Sequence, residues 1–162
     1  MNLFNKLTHK HSLESMEHSI CKELEKQGLQ HEKHNGHLYV INDKHYFRIQ
    51  LIDSVNRNVK HLKIFYEFWD DNFKKVTSDG WNQAANFINL NNTSTVFVAL
   101  SDHFCCCYQS AISTPKEFLD EFNRAYWSIG SALDEYWKIY PCLERDYPNG
   151  LTGNNSIGFK QK

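Results

Sequence analysis

The C-terminal half of the chain carries the feature that most constrains the fold, a long helical pattern with a complete start signal. Thr114 is an N-cap residue, Pro115 takes the first helical position, and Glu117 completes a capping box with the threonine. Apolar residues then recur at helical spacing until Pro141, so we predict a helix of about 26 residues, roughly 39 Å long. Its buried stripe is predicted to contain Phe118, Phe122, Ala125, Ile129, Leu133, Trp137 and Tyr140.

Two shorter helices are predicted earlier in the chain. One covers residues 12–27, with an N-cap serine at its start and Gly28 as its stop, and the other opens at Ser78. Both have apolar residues at helical spacing. These residues are Leu13, Met16, Ile20 and Leu24 in the first helix, and Trp81, Ala84, Ala85 and Ile88 in the second.

The remaining regular segments have strand character, because apolar or aromatic residues alternate with polar ones between turn signals. Asn35 and Gly36 form a strong hairpin signal between the first two strands. The predicted strands cover residues 30–34, 37–41, 46–51, 62–69, 95–100 and 104–111.

This order of elements predicts one α+β domain. We expect an antiparallel sheet of five to six strands, helices in the order α-β-β-β-β-α-β-β-α, and a long C-terminal helix packed on the sheet. The domain is expected to cover residues 1–147. Residues 148–162 are rich in Asn, Gly and Ser, which predicts a flexible C-terminal tail.

The composition excludes several classes of function. The formal net charge is −1, so the basic surface that a nucleic-acid binder needs is not expected. The first ten residues lack the apolar core of a secretory signal, and no run approaches the ~18 apolar residues of a membrane-spanning helix. The five cysteines are an odd number and three are contiguous, which is typical of free thiols. We therefore expect a cytoplasmic protein with no membrane partner.

Residues 12–140 resemble a fold known from bacteria. The best local matches are residues 81–89 (WNQAANFIN) leading into residues 95–100 (TVFVAL), and residues 114–119 (TPKEFL) at the start of the long helix. In these segments the chain is similar to the type III secretion chaperones and to the bacterial family called "putative sensory transduction regulators". The resemblance implies a dimer-prone, chaperone-like domain that binds other proteins and has no enzymatic activity to carry over.

Histidines and cysteines are the candidate metal or thiol residues. The spacing of His31, His34 and His37 sends successive side chains to opposite faces of a strand, and His45 lies beyond the next turn. The contiguous cysteines lack the Cys-x-x-Cys spacing of zinc sites. We expect solvated hairpin histidines, cysteines packed as small apolar residues, and no metal or cofactor. The triplet is Cys105, Cys106 and Cys107, with Cys105 and Cys107 on one face of the strand and His103 in the preceding turn.

No pattern indicates catalysis. Asp70, Asp71 and Asp102 each lie at a predicted strand end, where turn formation accounts for an aspartate. Phosphate-binding, dinucleotide-binding and nucleophile-elbow motifs are absent from the sequence. We therefore predict that the protein is not an enzyme.

Aromatic side chains are the candidate binding residues. Phe, Trp and Tyr make up 14% of the sequence, and a helix near 39 Å should overhang strands that span only ~20 Å. Such an overhang would expose aromatic surface that can pack on another polypeptide. The predicted binding residues are Trp127, Tyr136, Trp137 and Tyr140.

Two hypotheses about function remain open. The first is a non-enzymatic protein-binding or regulatory module, expected to be a homodimer with a protein partner that the sequence does not identify. The alternative is a small thiol- or metal-dependent sensor or enzyme that uses Cys105–Cys107 with the His-rich segment or His103.

Overall fold

The computed structural model describes residues 3–56, 58–100 and 102–149, and of these the side chains from residue 13 onward. The elements follow the predicted order, and the α+β fold class is confirmed. The helices are α1 (Leu3–Lys26), α2 (Ser78–Asn91) and α3 (Pro115–Asp146). The strands are β1 (Gln30–His34), β2 (His37–Asn42), β3 (His45–Asp53), β4 (Lys60–Phe68), β5 (Thr95–Ala99) and β6 (Phe104–Ile112).

The six strands form one antiparallel sheet in the order β1-β2-β3-β4-β6-β5. The predicted turn between β1 and β2 is present, and Asn35 and Gly36 have φ angles of 50° and 78°. These left-handed values are the ones a two-residue hairpin turn requires. The turn fixes the register of the hairpin, with His34 opposite His37.

The three helices pack on one face of the sheet. On β4 the side chains of Leu62 and Ile64 are fully buried, whereas that of the next residue, Phe65, is only partly buried. Ile64 lies opposite Ile49 of β3 and Tyr108 of β6, so the buried side chains share the face that the helices cover. Phe65 lies on the other face, which no helix of the described chain covers.

Helices α1 and α3 are longer than predicted. α1 begins at Leu3, because no Pro or Gly precedes Ser12 to interrupt the helical chain. α3 continues through Pro141 to Asp146, so the prediction that Pro141 ends it is wrong. Proline leaves the carbonyl of Trp137 without its helical donor, but both residues are exposed, and water can solvate that carbonyl.

A 3-10 helix (Asp71–Lys75) that the sequence did not predict follows β4. The carboxylate of Asp70 caps it and accepts a hydrogen bond from the N–H of Asn72 at 2.9 Å. This cap holds Asp70 at the end of β4, beside α3, where its second oxygen reaches Tyr136.

The chain after α3 returns to the 3-10 helix. Pro148 forms a β-bridge with Val76, and the N–H of Asn149 donates to the carbonyl of Lys75 at 2.8 Å. The hydrogen-bonded chain therefore reaches two residues beyond the predicted boundary at residue 147. Residues 150–162, the rest of the predicted tail, lie outside the described residues.

Candidate functional site

Helix α3 buries one stripe along its whole length. The stripe consists of Phe118, Phe122, Ala125, Ile129, Ala132, Tyr136, Tyr140 and Leu143. Both ends are buried because α1 and α2 pack against α3 in addition to the sheet. The ends of α3 are therefore covered by other helices, and the predicted exposure of an overhanging end is not observed.

The predicted binding residues divide into two groups. Tyr136 is fully buried and Tyr140 is 9% exposed, so these two belong to the core, and their assignment to an outer surface is corrected. Trp127 and Trp137 are 75% and 53% exposed. Trp137 was predicted on the buried stripe. Because Tyr136 and Trp137 are adjacent aromatics, the pattern did not decide which of them faces the sheet.

Tyr136 is held in the core by Asp70. Its hydroxyl donates to Oδ2 of the carboxylate at 2.6 Å, and burial together with this bond raises the pKa of Tyr136 well above its ordinary value. Trp137 packs edge-on against the Tyr136 ring, at 4.8 Å between centroids. The buried tyrosine thus fixes the orientation of the exposed tryptophan beside it.

Trp127 lies on the rim of a surface depression of about 380 Å³, which we call the Trp127 pocket. It is lined by His45, Phe47, Tyr66, Tyr126, Trp127, Ile129, Gly130, Ser131, Leu133 and Asp134. The hydroxyl of Tyr66 and Nδ1 of His45 share a hydrogen bond of 2.8 Å, and burial raises the pKa of Tyr66. Four of the ten lining residues are Phe, Tyr or Trp.

Trp137 lies on the rim of a second depression of about 740 Å³, which we call the Trp137 pocket. It is lined by Phe68, Trp69, Asp70, Asp71, Asn72, Phe73, Lys74, Asp102 and Trp137. Trp69 is 65% exposed and stacks on His103 with 4.8 Å between ring centroids.

The two pockets are neighbours along the same crease between α3 and β4. Tyr66 lines the first, Phe68 lines the second, and their rings stack with 5.9 Å between centroids. On α3, Asp134 and Trp137 are three residues apart and line the first and second pocket respectively, so they lie on one side of the helix. We call the two pockets together the aromatic groove.

The groove is acidic. Four carboxylates line it, against the single ammonium of Lys74 among the described lining residues. The carboxylates belong to Asp70, Asp71, Asp102 and Asp134. Because the whole chain carries a formal charge of only −1, this local excess gives the groove a negative potential that the rest of the composition does not predict.

The candidate catalytic aspartates have structural partners. Asp70 uses one oxygen to cap the 3-10 helix and the other to accept from Tyr136. Asp102 pairs with Nδ1 of His103 at 2.6 Å at the turn before β6. Cap formation therefore accounts for Asp70, as the sequence predicted, whereas the contact of Asp102 is with a neighbouring side chain.

The three histidines of the first hairpin do not converge on one point, although His34 and His37 are exposed partners across the hairpin. His31 is directed towards α1, where its Nε2 lies 3.9 Å from Glu25, whereas His34 is exposed at the other end of β1. His45 is engaged with Tyr66. Within the described ranges, no group of three or more His, Cys, Asp or Glu side chains is arranged to hold a metal ion.

The cysteine triplet lies in β6 as predicted, with Cys106 inside the core and its neighbours on the opposite face. Burial raises the pKa of Cys105 to about 11, and the nearby Glu67 carboxylate adds to the effect. Burial also raises the pKa of Cys106 and Cys107. A reactive thiolate needs the opposite shift, so the environment does not favour thiol chemistry here.

The fold has neighbours among the solved structures. No family model and no curated protein matches the sequence. The chain is similar in fold to the solved structure of "YbjN, a putative transcription regulator from E. coli", with 13% identity and a TM-score of 0.47. The similarity covers 84% of this chain and 94% of that one, and at this level it carries no conclusion about function.

A helix that spans a membrane must be both long and apolar. In the part of the chain that the structure describes, no helix combines the length and the apolar character needed to cross a bilayer.

Proposed function

We propose that this chain is a non-enzymatic binding module that holds a cationic segment of another polypeptide in the aromatic groove. The observation that carries the proposal is the continuity of the two pockets, which places exposed tryptophans and an excess of carboxylates in one crease. Tryptophan is enriched among the side chains that dominate protein interfaces, and its ring also attracts cations.

The dimensions of the groove suit a short stretch of chain. Trp127 and Trp137 are ten residues apart on α3, about 15 Å along the helix axis. An extended segment advances roughly 3.3 Å per residue, so four or five residues of a partner would span the two tryptophans. Lysine or arginine side chains of that segment would face the carboxylates, and its apolar side chains would cover the rings.

The proposal also includes the predicted cytoplasmic location and the predicted absence of catalysis. The five cysteines are free thiols, which suits a reducing compartment. The raised thiol pKa values and the engaged oxygens of Asp70 support binding rather than chemistry at these residues.

The predicted homodimer remains part of the proposal, and the burial pattern restricts how it can form. Tyr136 and Tyr140 are core residues and cannot supply the interface, whereas Trp127 and Trp137 can. A dimer formed through these tryptophans would cover the aromatic groove. Self-association and partner binding would then compete for the same surface.

The test is a binding titration with two labelled peptides that alternate leucine with either lysine or glutamate. At low salt we expect fluorescence anisotropy to show binding of the lysine peptide only, weakening as salt screens the carboxylates. Trp137→Ser and Asp71→Asn should each weaken binding, by about tenfold for the tryptophan.

Matched controls distinguish binding in the groove from nonspecific binding elsewhere on the surface. Phe87→Ser removes an aromatic side chain that is 46% exposed on α2, and Asp120→Asn removes an exposed carboxylate near the start of α3, outside the groove. Neither control should change the affinity. Equal binding of both peptides, or equal losses in the controls and the groove variants, would contradict the proposal.

A further inference from the structure

The Trp127 pocket has a chemistry that is distinct from the rest of the groove. We propose that it is a subsite for a methylated ammonium group, carried by a methylated lysine side chain or by a small quaternary amine. The inference rests on the proposed function for one of the two ligands, because a methylated lysine would belong to the bound polypeptide. A small quaternary amine could bind without that polypeptide.

The first argument is the arrangement of rings. Phe47 is almost fully buried beneath the pocket, and its centroid lies 5.2 Å from that of Tyr66 and 5.9 Å from that of Tyr126. Tyr126 in turn meets Trp127 edge-on at 5.9 Å. The four rings come from β3, β4 and α3 and surround one space. Several aromatic rings around one site are the arrangement that recognises quaternary ammonium groups.

The second argument is the charge at the mouth of the pocket. Asp134 lies on its rim, and Asp43 accepts a hydrogen bond from the hydroxyl of Tyr126 at 3.3 Å. No lysine or arginine lies among the described lining residues of this pocket. A cation that enters is therefore favoured by Asp134 in the lining and by Asp43 behind the Tyr126 hydroxyl, and no lysine or arginine of the described lining opposes it.

The third argument concerns hydrogen bonding and separates methylated from unmethylated amines. A primary ammonium carries three N–H donors, which need acceptors when the group leaves water. Asp134 and Ser131 can accept from such a group, but the ring walls offer mainly π faces, and the hydroxyl of Tyr66 is shared with His45. A methylated ammonium has fewer donors or none, so it loses less on entering this pocket.

The fourth argument is Gly130, in the middle of α3 on the pocket wall. Glycine weakens a helix interior relative to alanine. A Cβ built on Gly130 meets nothing within 4 Å, so packing does not require a glycine there. The missing side chain keeps the pocket open. The resulting volume of about 380 Å³ lies within the range of roughly 300–1,000 Å³ that is typical of small-ligand sites.

The experiment compares choline with its neutral isostere 3,3-dimethylbutan-1-ol, using amide chemical shifts of the full chain. We expect choline to give saturable shifts around Gly130 and to bind at least about tenfold more tightly than the isostere. Gly130→Leu should abolish this binding by filling the pocket, and Asp134→Asn should weaken it. Phe87→Ser, which is remote from the groove, should leave it unchanged. Equal affinity for choline and the isostere overturns the proposal, as does undiminished choline binding by Gly130→Leu.

A second arm identifies the source of the cation. Two peptides are titrated into the same protein, one in which leucine alternates with lysine and one in which leucine alternates with trimethyllysine. Tighter binding of the trimethyllysine peptide points to a polypeptide source, whereas choline binding without either peptide points to a small amine and contradicts the proposed function alone. A third outcome is that the lysine peptide binds, but choline binds no more tightly than the isostere and the trimethyllysine peptide binds no more tightly than the lysine peptide. That outcome overturns the subsite and leaves the proposed function standing.

Discussion

The side-chain amide of Asn89 holds both backbone groups of Phe97. Its Nδ2 donates to the carbonyl at 2.9 Å, and its Oδ1 accepts from the N–H at 2.6 Å. Phe97 lies in β5, which is the edge strand of the sheet in the described chain and pairs there with β6, so these backbone groups point away from the sheet. The amide therefore occupies the place of a neighbouring strand and protects the edge from pairing with another chain.

Asn89→Ala should lower the free energy of unfolding by about 2 kcal/mol, because two hydrogen bonds of roughly 1 kcal/mol each are lost. Urea denaturation would measure the change. Asn91→Ala is the matched control, since Asn91 makes a single exposed bond to Phe87 within α2. The control should lie within about 0.5 kcal/mol of the unsubstituted chain. Equal stability of the two variants would contradict this role for Asn89.

Local signals account for the parts of the fold that the sequence predicted. The capping box at Thr114 and Glu117 is present in a variant form, in which the Glu117 N–H donates to Oγ1 of Thr114 at 3.4 Å and the Glu117 carboxylate accepts from the N–H of Ser113 at 2.8 Å. Asn35 and Gly36 form the predicted turn, because only residues that tolerate positive φ suit it. These signals depend on neighbours in sequence, so they can be identified without knowing the tertiary structure.

The candidate site could be predicted only in part, because it depends on contacts between distant segments. The sequence predicts Trp127 and Trp137 as binding residues, and both line pockets, but the other residues that shape these pockets come from β3, β4 and the 3-10 helix. Tyr136 continues the spacing of the buried stripe from Ile129 and Ala132, but a core position for its hydroxyl requires a partner, and that partner is Asp70, 66 residues away in the sequence. No helical or strand period encodes that contact.

Two glycines should respond in opposite directions to substitution by alanine. A Cβ at Gly80 would lie 2.5 Å from Cγ1 of Val76 and 2.6 Å from Cβ of Tyr147, so the returning chain or α2 must shift. We expect Gly80→Ala to destabilise the protein by about 1–3 kcal/mol through overpacking. Gly130→Ala meets no atom within 4 Å and should stabilise α3 by roughly 0.5–1 kcal/mol. Thermal unfolding would measure both, and a shift of the same sign in both variants would contradict the two assignments.

The last described residues should contribute to stability. The N–H of Thr77 donates to the carbonyl of Tyr147 at 3.0 Å, and Asn149 bonds to Lys75. Deleting residues 147–162 should therefore cost about 1–3 kcal/mol, since three backbone bonds and the packing of Tyr147 on Gly80 are lost. Deleting only residues 150–162 retains these contacts and provides the matched control. Indistinguishable melting temperatures for the two truncated chains would show that the docking contributes nothing.

Thiol reactivity should be low in the folded protein at neutral pH. With its pKa raised from 9.0 to about 11, Cys105 has roughly a hundredfold smaller thiolate fraction below pH 9 than an unperturbed thiol. Iodoacetamide labelling followed by peptide mass spectrometry should show slow modification of Cys105 in the native state and fast modification in urea. Rapid native labelling of Cys105 would contradict this environment.

The raised pKa of Cys105 also makes the free energy of unfolding depend on pH. The folded chain keeps the Cys105 proton to a higher pH than the unfolded chain, so the protonated thiol contributes full stability below pH 9.0. As pH rises from 9.0 towards 11, the unfolded state releases the proton first, and the free energy of unfolding should fall. Cys105→Ser, which removes the titrating thiol, should show a smaller decrease over this interval in urea denaturation.

The oligomeric state links the exposed tryptophans to partner binding. If two copies associate through Trp127 and Trp137, they cover the aromatic groove, and a groove ligand must displace one copy. We expect light scattering to show a dimer that dissociates to monomer as the lysine–leucine peptide saturates. Trp127→Ser combined with Trp137→Ser should also give a monomer without unfolding, because both side chains are largely exposed. Val96→Thr with Val98→Thr, on the uncovered face of β5, is the control that should remain dimeric. A monomer at all concentrations would contradict self-association. Peptide binding that leaves the dimer mass unchanged would show that the dimer does not form through the groove.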